Sequence, residues 1–209
     1  MAVVGTGTGV GKTWVAARTL AELRASGVTV AARKPVQSYE PAELGATDAE
    51  VLAAATGEDP AAVCPRMWWL PVPMAPPMAA AVLGRPAPRL DELLDAVAWP
   101  AGTAVGVVET VGGVRSPLAD DGDSADVVAR LDPDLVLLVA DAALGTLNLV
   151  RLSVAALGGR PLVVVLNRFD AADDLHRRNR DWLVERDGLR VVVGPQEAAA
   201  ALSSGVPRR

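Results

Sequence analysis

Short, nearly continuous apolar runs rich in β-branched residues recur along the chain at 2–4, 28–30, 103–108, 135–139, 162–166 and 189–193. Between most of them lie longer stretches with helical patterning, at 13–25, 48–55, 77–83, 90–98, 125–131, 147–157 and 173–186. Strands that are apolar throughout, rather than at alternate positions, are buried on both faces and belong to a parallel sheet. The repeated strand-to-helix alternation therefore predicts an α/β fold, a doubly wound and mainly parallel sheet. The proline-rich segment 60–88 is too apolar for a linker and predicts an ordered excursion. With 209 residues, 51% of them hydrophobic, the chain fills a single domain spanning 1–209.

In such sheets ligands bind beyond the carboxyl ends of the strands, so the residues following each run carry the chemistry. The first run leads into Gly5-Thr6-Gly7-Thr8-Gly9-Val10-Gly11-Lys12-Thr13 and then into a helical pattern. Glycines let backbone N–H groups converge on a phosphate, and the helix N-terminus adds a favourable dipole. Lys12 reaches the terminal phosphates, and the Thr13 hydroxyl is a magnesium ligand. This is a phosphate-binding loop with five residues, not the standard four, between Gly5 and Gly11.

Composition sharpens that reading. Of 20 basic residues only Lys12 and Lys34 are lysine. A lysine kept in so arginine-biased a chain points to chemistry that needs a compact, mobile ammonium. Lys34 follows the second strand, in Lys34-Pro35-Val36-Gln37-Ser38, where it approaches the phosphates opposite Lys12. Asp48 opens a helical stretch behind Thr47, an N-cap residue, and Glu109 closes the apolar run 103–108. Magnesium is held by one or two carboxylates, phosphate oxygens and waters, so Thr13, Asp48 and Glu109 form a chemically sensible metal set.

A net charge of −5 with scattered arginines argues against a nucleic-acid or anionic-membrane surface. The single basic cluster, Arg177-Arg178-Asn179-Arg180, reads as a solvated helix face. No apolar run is long enough to span a bilayer, and the N-terminus passes straight into the phosphate loop. One cysteine, Cys64, permits no internal disulfide and reads as a buried thiol. The expectation is a soluble, cytoplasmic protein. The acidic stretch 120–126 reads as a solvated turn with Ser124 as an N-cap. His176, on the charged late helix away from the strand ends, is assigned no catalytic role.

Four motifs together resemble the dethiobiotin synthetases: the long-spaced phosphate loop, Lys34-Pro35-Val36-Gln37-Ser38, Val108-Glu109 with Gly112-Gly113, and Leu144-Gly145-Thr146-Leu147-Asn148. The resemblance runs from the start of the chain to about Asn167. It implies Mg2+ and ATP, and a reaction in which 7,8-diaminopelargonate takes up CO2 as a carbamate. The γ-phosphate then activates the carbamate, and the second amine closes a cyclic urea. It further implies that Lys12 and Lys34 neutralise charge on the phosphoryl group and the carbamate. Backbone N–H groups of the loop, including Gly9, Val10, Gly11 and Thr13, cradle the nucleotide, and Asn167 contacts the base. Thr8 and Ser38 touch the diamine or carbamate, Pro76 and Gly112 line its pocket, and Asn148 reaches across a homodimer to the substrate carboxylate.

The chain departs from the family's pattern at Thr110 and Val111, where small residues are usual. Tyr39 replaces a glycine and either shapes the pocket, binds ligand, or packs on its own loop. Gly194-Pro195 is only weakly similar to the family's base-binding turn. Two further readings stay open: the same chemistry on another amine, and a partner-regulated ATPase of the chromosome- or septum-positioning kind. The latter usually carries a second lysine early in the loop, where this chain has Thr6, Gly7 and Thr8, and no amphipathic tail precedes the terminal Arg208-Arg209.

Overall fold

The computed structural model describes residues 1–43 and 45–203; the terminal Arg208-Arg209 lies outside the described residues. In chain order the first half contains β1 (Ala2–Gly5), α1 (Lys12–Ala25), β2 (Val30–Arg33), β3 (Gln37–Ser38), α2 (Asp48–Thr56), α3 (Pro60–Val63), β4 (Trp69–Leu70), α4 (Pro76–Val82) and α5 (Leu90–Asp95). The second half contains β5 (Val105–Glu109), β6 (Pro117–Ala119), β7 (Gly122–Asp123), α6 (Ser124–Leu131), β8 (Val136–Asp141), α7 (Thr146–Ala156), β9 (Leu162–Asn167), α8 (Asp174–Glu185), β10 (Val191–Val193) and α9 (Gly194–Ser203).

Six strands form one parallel sheet in the order β10-β9-β8-β1-β5-β2. Its two faces separate residue by residue, as the period of two requires. Val3, Leu137, Val139, Val163 and Val165 enter the core beneath α1, α2 and α9, whereas Ala2, Val4, Leu138, Val164 and Leu166 enter the opposite core beneath α7 and α8. This is the expected doubly wound α/β domain. The crossover from β1 leads to β2 on one side, the crossover from β5 passes over β1 to β8 on the other, and the crevice this opens lies at the carboxyl end of β1.

Several boundaries differ from the pattern. The second strand begins at Val30, because Val28 N–H caps α1 on Leu23 O and the Thr29 hydroxyl donates to Gly102 O. Ala31 and Ala32 have poor strand propensity, yet they are fully buried in the parallel ladder, where tertiary pairing prevails. The last strand is likewise shortened, since Leu189 N–H is spent on Leu183 O at the end of α8. The cap of α6 is Asp123, which accepts from Ala125 and Asp126 N–H, while Ser124 is the first helical residue and donates to Val111 O. Helix α9, absent from the periodicity, packs on α1, with the Thr19 hydroxyl 3.4 Å from Pro195 O. The excursion at 60–88 is ordered through β4, which pairs parallel with β3.

Cys64 is buried, and burial pushes its thiol up to about 12. No helix among the described residues is long and apolar enough to cross a membrane. Leu138, fully buried at the middle of β8, tests the packing: Leu138→Ala loses about 2–5 kcal/mol, read as a lower urea midpoint with unchanged slope.

Candidate active site

The phosphate loop turns between β1 and α1 through two left-handed glycines, Gly9 at φ 75° and Gly11 at φ 90°. Other residues resist that region for lack of room around Cβ. Space forbids a side chain at Gly11 independently, since a Cβ there would lie 2.2 Å from Asn167 Nδ2. The outer rim of the loop is pinned by the C-terminal half of the sheet. Asn167 Nδ2 donates to Val10 O at 2.9 Å, and the Arg168 guanidinium bridges Gly9 O at 2.8 Å and Asp141 at 2.6 Å. Lys12 folds back across the loop and donates to Gly7 O (3.1 Å) and Gly112 O (2.8 Å). Burial, aided by repulsion from Lys34, lowers its pKa to about 8. An ammonium held by two carbonyls in a dry site is a ready partner for phosphate.

A second cluster adjoins the loop and follows from strand register. Arg33 pairs with Val108, so the next residues, Lys34 and Glu109, stand side by side at the carboxyl edge of the sheet. Their side chains are 1% and 0% exposed and meet at 2.6 Å. Asp48 completes the cluster at 2.8 Å from Lys34 Nζ, brought there by the first turn of α2. That turn is fixed by a Thr47–Glu50 capping box and by Gln37 Oε1, which accepts from Ala49 N–H at 2.9 Å. Burial alone would lower the pKa of Lys34, but the two carboxylates hold it above the ordinary lysine value. Burial raises Glu109 despite Lys34. The more exposed Asp48 is lowered, because Lys34 and Thr13 outweigh its own burial.

The Thr13 hydroxyl lies 2.8 Å from Asp48 Oδ1 and 2.7 Å from Glu109 Oε1. One hydroxyl proton serves only one acceptor at a time, and among the described residues Glu109 Oε2 is buried without a hydrogen-bond partner. Oxygen atoms from three residues thus converge with acceptor capacity unused. That donor set fits magnesium, which takes oxygen ligands and draws the remainder from phosphate and water. It is too sparse for a metal held by protein alone: no group of three or more His, Cys, Asp or Glu among the described residues is placed to hold an ion.

A cleft of about 750 Å3 opens over both clusters. It brings together Thr8, Gly9, Gly11, Lys12, Thr13, Lys34, Ser38, Asp48, Pro76 and Gly112, all candidates from the sequence. Glu109 sits fully buried behind it, reached through Thr13 and Lys34. Val10 faces the core, and its carbonyl holds Asn167. Asn167 borders a second cavity of about 610 Å3, on the other side of Gly11. Asn148 is exposed on α7 and borders neither cavity.

Of the two β-branched residues after Glu109, only Val111 faces the cleft; Thr110 is buried, its carbonyl 3.3 Å from Lys34 Nζ. Tyr39 packs edge-on against Trp69 and is not part of the cleft wall. His176 is not remote from the strand ends: its Nδ1 accepts from Asp170 N–H in the loop after β9. The sequence reading missed Trp14, Val51, Met74 and Ser116 in the walls, and the Arg168–Asp141 brace. Val51 was open to inference, since it lies three residues beyond Asp48 on the same helix face. Nothing in the local sequence marks Arg168.

Parallel sheet, long glycine loop, buried lysine and paired carboxylates define a P-loop nucleotide-binding domain. The family described as AAA domain matches residues 1–197. In fold the chain is similar to the signal recognition particle 54 kDa protein from Aeropyrum pernix K1, with a TM-score of 0.50 at 18% identity, covering 93% of this chain and 41% of that one. In sequence it is 39% identical to the ATP-dependent dethiobiotin synthetase BioD of Haloferax mediterranei, over 99% of this chain and 90% of that protein. It is 36% identical to the BioD of Caulobacter sp. (strain K31), over 93% of this chain and 86% of that protein. The chain belongs to the ATP-dependent dethiobiotin synthetase family.

Gly11→Ala, strained in φ and in collision with Asn167, abolishes nucleotide binding measured by calorimetry. Because burial lowers Lys12 to about 8 and a bound phosphate raises that value, binding of Mg-ATP at pH 8.5 takes up most of a proton. At pH 6.5 Lys12 is already charged and contributes no uptake. Calorimetry in buffers of different ionisation enthalpy measures the difference, and equal uptake at both pH values contradicts the assignment.

Proposed function

We propose that the chain is a magnesium- and ATP-dependent dethiobiotin synthetase, converting 7,8-diaminopelargonate and CO2 to dethiobiotin. The observation that carries this is the continuity of one cleft. Phosphate loop, buried Lys34 and Asp48 line it together with an apolar wall of Val51, Pro73, Met74, Ala75 and Pro76. A small diamine with an aliphatic tail spans those two environments.

The amine and CO2 give a carbamate. Its oxygen attacks the γ-phosphorus, the bond to the β-phosphate oxygen breaks, and ADP leaves. The second amine then attacks the carbonyl of the mixed anhydride, closing the cyclic urea and expelling phosphate. No protein nucleophile is needed. Lys12 faces the transferring phosphoryl group, and the loop N–H groups cradle the other phosphates. Lys34 has three donors; the weakest, to Thr110 O at 3.3 Å, is the one most readily redirected to the carbamate. Thr8 and Ser38 border the same space and supply hydroxyls to the carbamate or diamine. Thr13, Asp48 and Glu109 hold magnesium, which screens the repulsion between phosphate oxygens and carbamate.

Asn167, beside the second cavity, contacts the nucleotide base. The protein acts as a cytoplasmic homodimer in which Asn148 reaches the partner's cleft. Its exposure on α7, next to Leu144 at 86% exposed and Leu149 at 45%, supports that role. The second reading, the same chemistry on an altered amine, rests on Val111 in the cleft wall.

Phosphate release from Mg-ATP and bicarbonate, with and without 7,8-diaminopelargonate, tests the reading alongside mass detection of the product. Diamine-dependent release with cyclic urea is the expected result. Release stimulated only by another amine establishes the second reading, and release indifferent to any amine refutes both.

A further inference from the structure

Trp14 follows Thr13 directly and is 51% exposed, although Val15, Leu20 and Leu23 of the same helix are fully covered. A single exposed apolar side chain is ordinary; the position of this one is not. With Gly11 it borders both the cleft and the second cavity, and so stands where the two meet. That second cavity lies between the start of α1 and the carboxyl ends of β9 and β10, faced by Asn167, Phe169, Pro195 and Gln196.

The protein's other aromatic rings near charge are already engaged. Trp69 carries Arg66 and Tyr39, Trp99 carries Arg33, Trp182 carries Arg151 and Arg186, and Phe169 carries His176 and Arg180. Among the described residues, no ring or cation contact is made to Trp14. The polar alternative is partly spent as well, since Asn167 donates its amide N–H to Val10 O in holding the loop.

We propose that Trp14 is the stacking platform for the nucleoside of the bound nucleotide, with the base lodged in the cavity beside Asn167. This rests on the reading of the chain as an ATP-dependent enzyme. A phosphate chain held over Gly11 to Thr13 leaves its α-phosphate beside Trp14, and the indole offers a broad π face to any base. Stacking of this kind tolerates all bases, so Trp14 strengthens nucleotide binding without choosing sharply between them.

Calorimetric binding of Mg-ATP and of magnesium tripolyphosphate, which has no nucleoside, isolates the contact. Trp14→Ala weakens Mg-ATP about tenfold or more and changes tripolyphosphate by less than about twofold, while Trp14→Phe retains most of the affinity for Mg-ATP. Unchanged tripolyphosphate binding also shows that the variant is folded. Equal losses for both ligands, or no loss for Mg-ATP, overturn the proposal. A wild-type protein that binds neither ligand refutes the nucleotide reading itself, and this inference with it.

Discussion

The site depends on one buried ammonium. Lys34 and Glu109 are buried side by side at the floor of the cleft, and both charges would be costly there alone. Together with Asp48 and the Thr13 hydroxyl they form a continuous polar cluster, in which each group is held by at least one other. Its geometry originates in the sheet: parallel register places Lys34 beside Glu109, and the capped start of α2 delivers Asp48. The cluster in turn fixes Thr13, the second residue of α1, and through it the end of the phosphate loop.

The loop itself is held from the opposite side. Asn167 and Arg168, at the end of β9, take the carbonyls of Val10 and Gly9, so the loop is clamped between β9, two strands from β1 on one side, and Glu109 of β5, its neighbour on the other. Such bracing matters for phosphoryl transfer, where the protein contributes positioning and fixed charge more than covalent chemistry. Lys12 completes the arrangement on carbonyls that a phosphate can replace, whereas Lys34 is paired with two carboxylates.

Much of this was legible in the residues. The glycine loop, two lysines in an arginine-rich chain, and acids at a strand end and a helix start all belong to local chemistry that spacing reveals. What spacing did not reveal was long-range. Arg168 gains its role only because β9 ends near the loop; Trp14 is notable for its exposure, which no sequence pattern encodes. Helix α9 was missed because its alanine-rich stretch after Gly194-Pro195 shows no clear apolar face. Thr110 and Val111 looked equivalent in sequence, yet just beyond the end of β5 Thr110 is wholly buried beside Lys34 while Val111 also borders the cleft.

The decisive measurement is a double-mutant cycle on stability between Lys34→Met and Glu109→Gln, by urea denaturation. Lys34→Met leaves a buried carboxylate without its partner and loses about 3–5 kcal/mol. Converting Glu109 to glutamine in the same chain removes that charge, so the double variant is more stable than the sum of the single losses allows. A coupling above about 1.5 kcal/mol is the predicted result, whereas losses that add to within about 0.5 kcal/mol would contradict the central place given to this pair.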